Sequence, residues 1–409
     1  MEIIKALNFI KKHKTVILLP IICILQFLAC FFCNFWIVAT VFGVILLLIS
    51  DFAHIIYYTL FFQMFSSCGY FSVICTFVSV GVICIKYIFE LIKKTEKFYP
   101  VPFILTCVIC LFCSMHNTTV DAQGVYQGSS LIAALFFIYL IFVYRDRFKL
   151  RKCADFLISG ILTTAAISFA TILFNTHLSQ FVEVFSTIHR LKLLTGNENS
   201  LAIYCSLTLS IYVSNILTKK DNIYKNIILG LSSIAIGLST VSKCFLLVCM
   251  FILAYLFIVL IIKYKLKSVI FIAPIILIIT ILCLIPNSPI GAIFDRLLTK
   301  VNGTLSIYSL TTGRSTLWTI YINEITSSIR KMLIGVGFFS ERLVNIGPHN
   351  LLIHLFYRMG LIGLLMLGIL CYYYYRDSVR DKRKTLKPTL KTSLTLMVFI
   401  LISMVESFL

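Results

Sequence analysis

Residues 311–363 read TTGRSTLWTIYINEITSSIRKMLIGVGFFSERLVNIGPHNLLIHLFYRMGLIG, and we expect the rest of the chain to be organised around them. They end a long polar interruption at 286–350 in a sequence that is 60% hydrophobic, and an apolar segment follows at once. The interruption contains Arg314 and, at its end, His349 beside Asn350.

The composition indicates an all-α polytopic membrane protein. Mean hydropathy is +0.99, and only 13% of the 409 residues are charged, which is typical of chains that cross a bilayer many times. The first apolar run is interpreted as a retained anchor, since no small-residue cleavage site follows it. Windows of about 18–20 apolar residues predict about 12–13 transmembrane helices. The expected spans are 15–33, 35–50, 53–68, 71–92, 100–115, 129–144, 154–174, 199–217, 226–240, 244–262, 268–286, 351–375 and 392–409.

The distribution of basic residues predicts the orientation. With a cytoplasmic N-terminus, the inside segments carry 25 of the 36 lysine and arginine residues, as the positive-inside rule requires. The chain then divides into a transmembrane bundle with short loops at 1–286, a large extracytoplasmic loop with interfacial helices at 287–350, and C-terminal transmembrane helices at 351–409. The net charge of +20 is explained by this topology and by membrane lipids as neighbours. It does not indicate a nucleic-acid partner.

Five side chains on the predicted outer face are candidates for a site. Four are cations that could bind a phosphate, Arg190, Lys192, Lys243 and Arg314, and the fifth is His349. Arg190 or Lys192 binds an anion at the bilayer surface or serves as an interfacial anchor. Lys243 either snorkels between two spans or binds phosphate together with its hydroxyl neighbours. His349 either takes part in the reaction chemistry or is an interfacial capping residue.

Local signals predict the structure around these residues. Gly196 permits a tight turn, after which Asn197 or Asn199 caps the next helix. Arg358 lies two turns into a span, where an ionisable group is a functional candidate, and Glu406 on the final span is its expected partner.

The loop itself is predicted to contain an interfacial helix from Ser315 to about Met332, which the glycines at 335 and 337 end. Trp318 and Tyr321 would lie at headgroup depth. The residues predicted to share one face are Leu317, Trp318, Tyr321, Ile325 and Ile329.

These residue types favour metal-free group transfer. The outside loops contain no Asp-x-Asp pair, so a divalent metal on a diphosphate is not expected, and neither is a cofactor. Cys107, Cys110 and Cys113 have a ligand-like spacing, but we interpret them as core packing in an apolar helix. Arginine neutralises pyrophosphate through bidentate hydrogen bonds. A neutral imidazole can accept the proton of a sugar hydroxyl.

Several segments together resemble the O-antigen ligase and polysaccharide polymerase superfamily of bacterial membrane glycosyltransferases. They are TGRSTLW at 312–318, IGVGFF at 334–339, PHNLLIHLFYRMGLIG at 348–363 and GNENSLA at 196–202. LSTVSKCFLLV at 238–248 is similar to the segment in which that family usually carries Ser-Arg. The order, spacing and common sidedness of these segments carry the resemblance.

The resemblance implies an inverting, metal-independent glycosyltransferase in the bacterial cytoplasmic membrane, with its active site on the extracytoplasmic face. The donor would be an undecaprenyl-diphosphate-linked oligosaccharide and the acceptor a second glycan. Arg314 matches the diphosphate clamp, and His349 matches the base or acceptor-positioning group. Lys243 stands where arginine is usual, and the register upstream leaves Arg190 and Lys192 as alternatives. Asn350, Arg358 and Glu406 would support the site.

Within this family we favour a polymerase that joins repeat units of a capsule or O-antigen polysaccharide. A ligase that moves the finished glycan to another acceptor is the alternative, and a flippase or transporter of lipid-linked oligosaccharide is a weaker one. A chain-length regulator and a flippase of the same pathway are candidate protein partners. Relatives often continue beyond the position of Glu406, so the resemblance also predicts that a final span is missing.

Overall fold

The computed structural model describes residues 2–32, 34–116, 120, 122–174, 191–218, 222–240, 242–264, 314–340, 343, 349–381 and 390–405. Over these ranges the regular elements are α-helices and two short 3₁₀ turns, at Gln63–Phe65 and Leu193–Thr195. An isolated β-bridge joins Val120 to Ser340. The predicted all-α class is therefore confirmed for the described ranges.

The helices follow one another along the chain, and the connections from α1 to α7 are short. They are α1 (Glu2–Ala29), α2 (Phe35–Leu48), α3 (Phe52–Phe62), α4 (Phe71–Ile92), α5 (Pro100–Met115), α6 (Ala122–Val143), α7 (Leu150–Phe174), α8 (Glu198–Thr218), α9 (Ile223–Ser239), α10 (Lys243–Tyr264), α11 (Arg314–Thr326), α12 (Ile329–Ile334), α13 (Leu351–Asp381) and α14 (Leu390–Val405).

Five of these helices are long and apolar enough to cross a membrane: α4, α6, α7, α8 and α13. Others, such as α2, α3 and α9, are apolar but shorter. A count of about 12–13 crossings stays a prediction, and the expected span at 268–286 lies outside the described residues.

The first of two compact units consists of Met1–Lys97 and Tyr144–Phe245. In it α3 packs against α4 and α7, and α8 packs against α7 and α9. A Cβ atom on Gly160 of α7 would lie 3.1 Å from the carbonyl oxygen of Phe61. The absent side chain therefore permits a close approach of α7 to α3, as small residues do between membrane helices.

The second unit consists of Phe98–Val143 and Leu246–Leu409. Its main apolar cluster joins α5, α6 and α13 around the fully buried Phe338, whose amide donates to the Cys113 carbonyl at 2.8 Å. Cys110 and Cys113 belong to this cluster, so the interpretation of these two cysteines as packing residues is confirmed. The predicted division of the chain at 286 and 350 refers to the sides of the membrane. The two compact units are defined by contacts, so this division stays a prediction.

Helix α6 begins earlier than the sequence predicts. Residues 122–128, AQGVYQG, have the composition of a loop, yet the helix starts at Ala122 and not at 129. A Cβ atom on Gly128 would lie 2.3 Å from the Phe339 ring and 2.8 Å from the Phe338 carbonyl oxygen. Because α6 packs this closely on a distant segment, we infer that tertiary contact stabilises its polar first turns.

Helix α13 is broken at Gly360, although its sequence predicts one continuous span. Gly360 has φ 62° and ψ −172°, a conformation that only glycine adopts without strain. The break divides α13 into 351–359 and 361–381. It exposes backbone carbonyls that must find partners elsewhere, since an unpaired buried carbonyl costs about as much as a lost hydrogen bond.

Candidate functional site

Arg314 begins α11 in the second unit, and the helix that follows differs from the prediction. A single helix to about Met332 is wrong, because α11 ends at Thr326 and α12 begins at Ile329. The Ser328 hydroxyl accepts from the Lys331 amide at 3.2 Å and caps α12. The two serines between the helices compete for backbone hydrogen bonds and end the first helix there.

This break changes which face of the segment is buried. Tyr321 and Ile325 share a face of α11, and that face is buried in the protein, whereas Ile329 beyond the break is 73% exposed, so its expected place on the same face is wrong. The Tyr321 ring meets the Tyr357 ring of α13 edge to face, with 5.0 Å between centroids. Arg314 is thus carried on a helix that packs against α13.

The glycine segment after α12 caps the break in α13. Gly335 ends α12 with φ 74°, as the sequence predicts for a glycine terminator. The amides of Val336 and Gly337 donate to the carbonyls of Tyr357 and Arg358 at 3.0 and 3.1 Å. These bonds satisfy carbonyls that the break at Gly360 removes from the helical ladder.

Glycine is required at both points of this contact. A Cβ atom on Gly335 would lie 2.6 Å from the Arg358 carbonyl oxygen, and one on Gly360 would lie 2.4 Å from the Gly335 nitrogen. Real Cβ atoms do not come this close to backbone atoms, and both residues have positive φ. The two glycines therefore let one backbone lie directly on the other.

Arg358 joins the glycine segment to α6. The side chain is fully buried. Its Nη2 donates to Gln127 Oε1 at 2.8 Å, and its Nη1 donates to the carbonyls of Gly337, at 3.3 Å, and Ser340. The expected partner Glu406 lies outside the described residues. The contacts shown for Arg358 make it a structural clamp on the segment that leads towards His349.

His349 and Asn350 lie at the start of α13. His349 is partly exposed, with a φ of 48° that costs a non-glycine residue on the order of 1 kcal/mol. Asn350 is buried, and its Oδ1 accepts from the Ile353 amide at 3.1 Å. Asn350 therefore supplies a helix cap, and His349 is held just outside the helix in a conformation that the cap and its surroundings maintain.

The first unit contains the other predicted cations. The Leu191 amide donates to the Ser239 carbonyl at 3.0 Å, so the segment carrying Lys192 lies against the end of α9, four residues before Lys243 begins α10. The structure thus brings the segments of Lys192 and Lys243 together. Arg190 lies outside the described residues.

The turn before α8 is as predicted. Gly196 has φ 67°, and Asn197 Oδ1 accepts from the amides of Asn199 and Ser200 at 2.8 and 3.4 Å. Of the two candidate capping residues, Asn197 and Asn199, it is Asn197 that caps α8.

Sequence reasoning missed Gln127 and the break at Gly360. The polar sequence around Gln127 predicts a loop, whereas the residue lies in α6 with 6% exposure. A buried amide in an apolar helix is a functional or structural signal, but that signal exists only once the helix is extended to Ala122. The sequence RMGLIG around Gly360 offered a weaker signal, since glycine is common in membrane helices.

The chain matches no model of a known protein family and no curated protein sequence.

Proposed function

We propose that this protein is a membrane glycosyltransferase that polymerises undecaprenyl-diphosphate-linked oligosaccharide repeat units into a surface polysaccharide, by an inverting and metal-independent reaction. The supporting observation is the convergence of separate motif segments on one broken helix. The helix that starts at Arg314, the glycine segment at 335–340 and the His349 segment all pack on or lead into α13.

The chemistry assigns a distinct role to each group. Arg314 binds the donor diphosphate, because a guanidinium matches its oxygens bidentately and neutralises the charge that develops as it leaves. His349 accepts the proton of the acceptor hydroxyl. The acceptor oxygen bonds to the anomeric carbon, and the bond from that carbon to the diphosphate oxygen breaks. Undecaprenyl diphosphate departs with the electron pair, and the anomeric configuration inverts.

Supporting roles follow from position. Asn350 holds the start of α13, and Arg358 holds the glycine segment. The strained backbone at His349 is typical of residues whose geometry serves a site more than it serves stability.

The test is chain growth by the purified full chain on a synthetic lipid-diphosphate repeat unit, with EDTA present. Arg314→Ala should lower turnover roughly 100-fold, as removal of one preorganised charge-stabilising donor does. His349→Ala should lower it roughly 100-fold or more. Arg330→Ala is the matched control, since Arg330 is exposed on α12, and it should keep wild-type turnover. Full turnover of Arg314→Ala would remove the assigned clamp.

The same assay separates polymerase from ligase. Growth on the repeat unit alone supports polymerisation. Transfer that requires an added second acceptor, such as a lipid-linked core saccharide, supports the ligase alternative.

A transporter of lipid-linked oligosaccharide is the second candidate, and the break at Gly360 is the observation that favours it. Transporters often bind substrate at discontinuous helices near the midplane of the bilayer. The carbonyls at this break are engaged by Val336 and Gly337, which favours a structural use of the break over ligand coordination. If His349→Ala abolished polymer while lipid-linked units still reached the outer leaflet, transport would be excluded.

A further inference from the structure

A cavity of about 260 Å³ lies in the first unit, where α3 and α7 begin. Phe52 and Tyr57 form its apolar wall, with Ala53 beside them. Its polar lining contains two lysines, Lys149 and Lys152. Small cavities with an apolar wall and a few convergent polar groups are the usual form of a ligand site.

The aromatic wall is held rigidly. The Phe52 ring stacks on Tyr144 with 3.9 Å between centroids, and the Tyr57 ring stacks on Phe156 at 5.4 Å. The Tyr57 hydroxyl accepts from the Lys149 amide at 2.8 Å, which ties the start of α7 to α3. The cavity is thus a built feature of the packing.

Two of the charged groups at the cavity already have partners. Asp51 accepts from the His54 amide at 2.9 Å, and its two carboxylate oxygens lie 2.7 and 2.8 Å from His54 Nδ1. The hydrogen bond from His54 holds the pKa of the Asp51 carboxyl well below its usual range. Arg147 pairs with Glu90 at 3.1 Å and with Glu96.

Lys149 and Lys152 have no such compensation. Both are exposed, and in the described part of the chain neither forms an ion pair with a carboxylate. They flank the N-terminus of α7, whose first turn holds no acidic residue. Cations at that end of a helix are repelled by its dipole, and an anion there is attracted.

We propose that this cavity binds a phosphate-bearing anion, either the phosphate of an anionic lipid headgroup or free phosphate, between the ammonium groups of Lys149 and Lys152. The positive-inside rule accounts for basic residues in this connection but not for a cavity between them. The same rule predicts a cytoplasmic side for this connection, and the proposed glycosyltransferase reaction uses none of the residues that line the cavity. The proposal therefore stands independently of that function.

The test measures binding to the full chain in detergent and in nanodiscs. Equilibrium dialysis with labelled inorganic phosphate probes the free ion. Native mass spectrometry after reconstitution in phosphatidylcholine nanodiscs, with or without phosphatidic acid, probes the headgroup. Lys149→Ala/Lys152→Ala should weaken saturable binding about tenfold or more, since it removes two charge-assisted contacts.

Two further variants separate a cavity site from surface charge. Lys93→Ala/Lys97→Ala removes two exposed lysines of the same unit that do not line the cavity, and it should bind as the wild type does. Ala53→Phe fills the cavity without changing charge and should also weaken binding about tenfold.

Each outcome decides the proposal. Lysine-dependent saturation with inorganic phosphate supports a free-phosphate site, and lysine-dependent retention of phosphatidic acid alone supports a headgroup site. Binding that both double variants reduce equally, or that Ala53→Phe leaves intact, would show general surface charge and overturn the proposal. Absence of saturable binding of either probe to the wild-type chain would also overturn it.

Discussion

Arg358 in the second unit and Arg147 in the first show two ways in which this chain accommodates a guanidinium. Arg358 is fully buried and donates to the neutral oxygens of Gln127, Gly337 and Ser340. The Arg147 side chain is 43% exposed and pairs with the carboxylates of Glu90 and Glu96.

We expect the ion pairs of Arg147 to contribute less to stability than the hydrogen bonds of Arg358, although the partners of Arg147 carry full charges. Burial opposes the positive charge on Arg147, but Glu90 and Glu96 outweigh it and raise the pKa of the guanidinium. Solvent screens such an exposed pair, and measured values are about 0–1 kcal/mol. No solvent can replace a fully buried arginine, so its removal takes a hydrogen-bond donor from each of the oxygens that it contacts.

The largest expected effect is that of Arg358→Ala. It leaves the Gln127 amide oxygen and two backbone carbonyls without their donor, at a cost of about 3 kcal/mol or more. Thermal unfolding in detergent should show a much lower midpoint. Arg358→Lys, which keeps the charge but loses the planar fork, should recover only part of the loss. A wild-type midpoint for Arg358→Ala would break the comparison.

Gly335→Ala comes next. It strains a backbone with φ 74° and pushes a methyl group against the Arg358 carbonyl, so we expect a loss of about 2 kcal/mol, from strain of about 1–3 kcal/mol at such a position. The control is Gly368→Ala in α13, where a Cβ atom meets nothing within 4 Å. Unfolding midpoints of the two variants should differ clearly, and equal midpoints would contradict the close backbone contact.

A smaller effect is expected for Gln127→Leu. It removes one of the acceptors of Arg358 and should cost about 1–2 kcal/mol. Gln127→Glu sharpens the comparison, because it gives the buried arginine a carboxylate like those of Arg147. If unfolding experiments showed Gln127→Leu to be neutral, the hydrogen bond to α6 would have no structural importance.

The smallest effect is expected for Arg147→Ala. The cost should stay within about 1 kcal/mol and shrink further as salt is added, because the pair is screened. The measurement is the unfolding midpoint at low and high ionic strength. A loss as large as that of Arg358→Ala would show that exposure does not set the difference between the two arginines.

Helix content was largely predictable, whereas helix ends were not. Apolar length identified α4, α7 and α8 closely, because each contains a long window of high mean hydropathy with few charged residues. The start of α6 was misplaced because residues 122–128 are polar and glycine-rich, and the contact of Gly128 with Phe338 and Phe339 cannot be read from local composition. The two-helix form of residues 314–334 depends on the cap at Ser328.

For the candidate site, too, the sequence predicts some features and not others. The motif residues Arg314, His349 and Arg358 were identified from charge and position, and the structure describes all three. Their roles as diphosphate clamp, base and support stay predictions. The partner predicted for Arg358, Glu406, lies outside the described residues. The partners that the structure shows, Gln127 and two carbonyls, include none that a charge-based argument would select.

The sequence by itself determined that this chain is helical and built for a bilayer, because hydropathy and periodicity are local properties that one chain segment carries alone. It also determined which glycines, cations and histidines were available. Only the tertiary structure decided that α13 breaks at Gly360, because that break is stable only when the amides of Val336 and Gly337 lie against the freed carbonyls. Such pairing joins backbones far apart in sequence, and no local pattern encodes it.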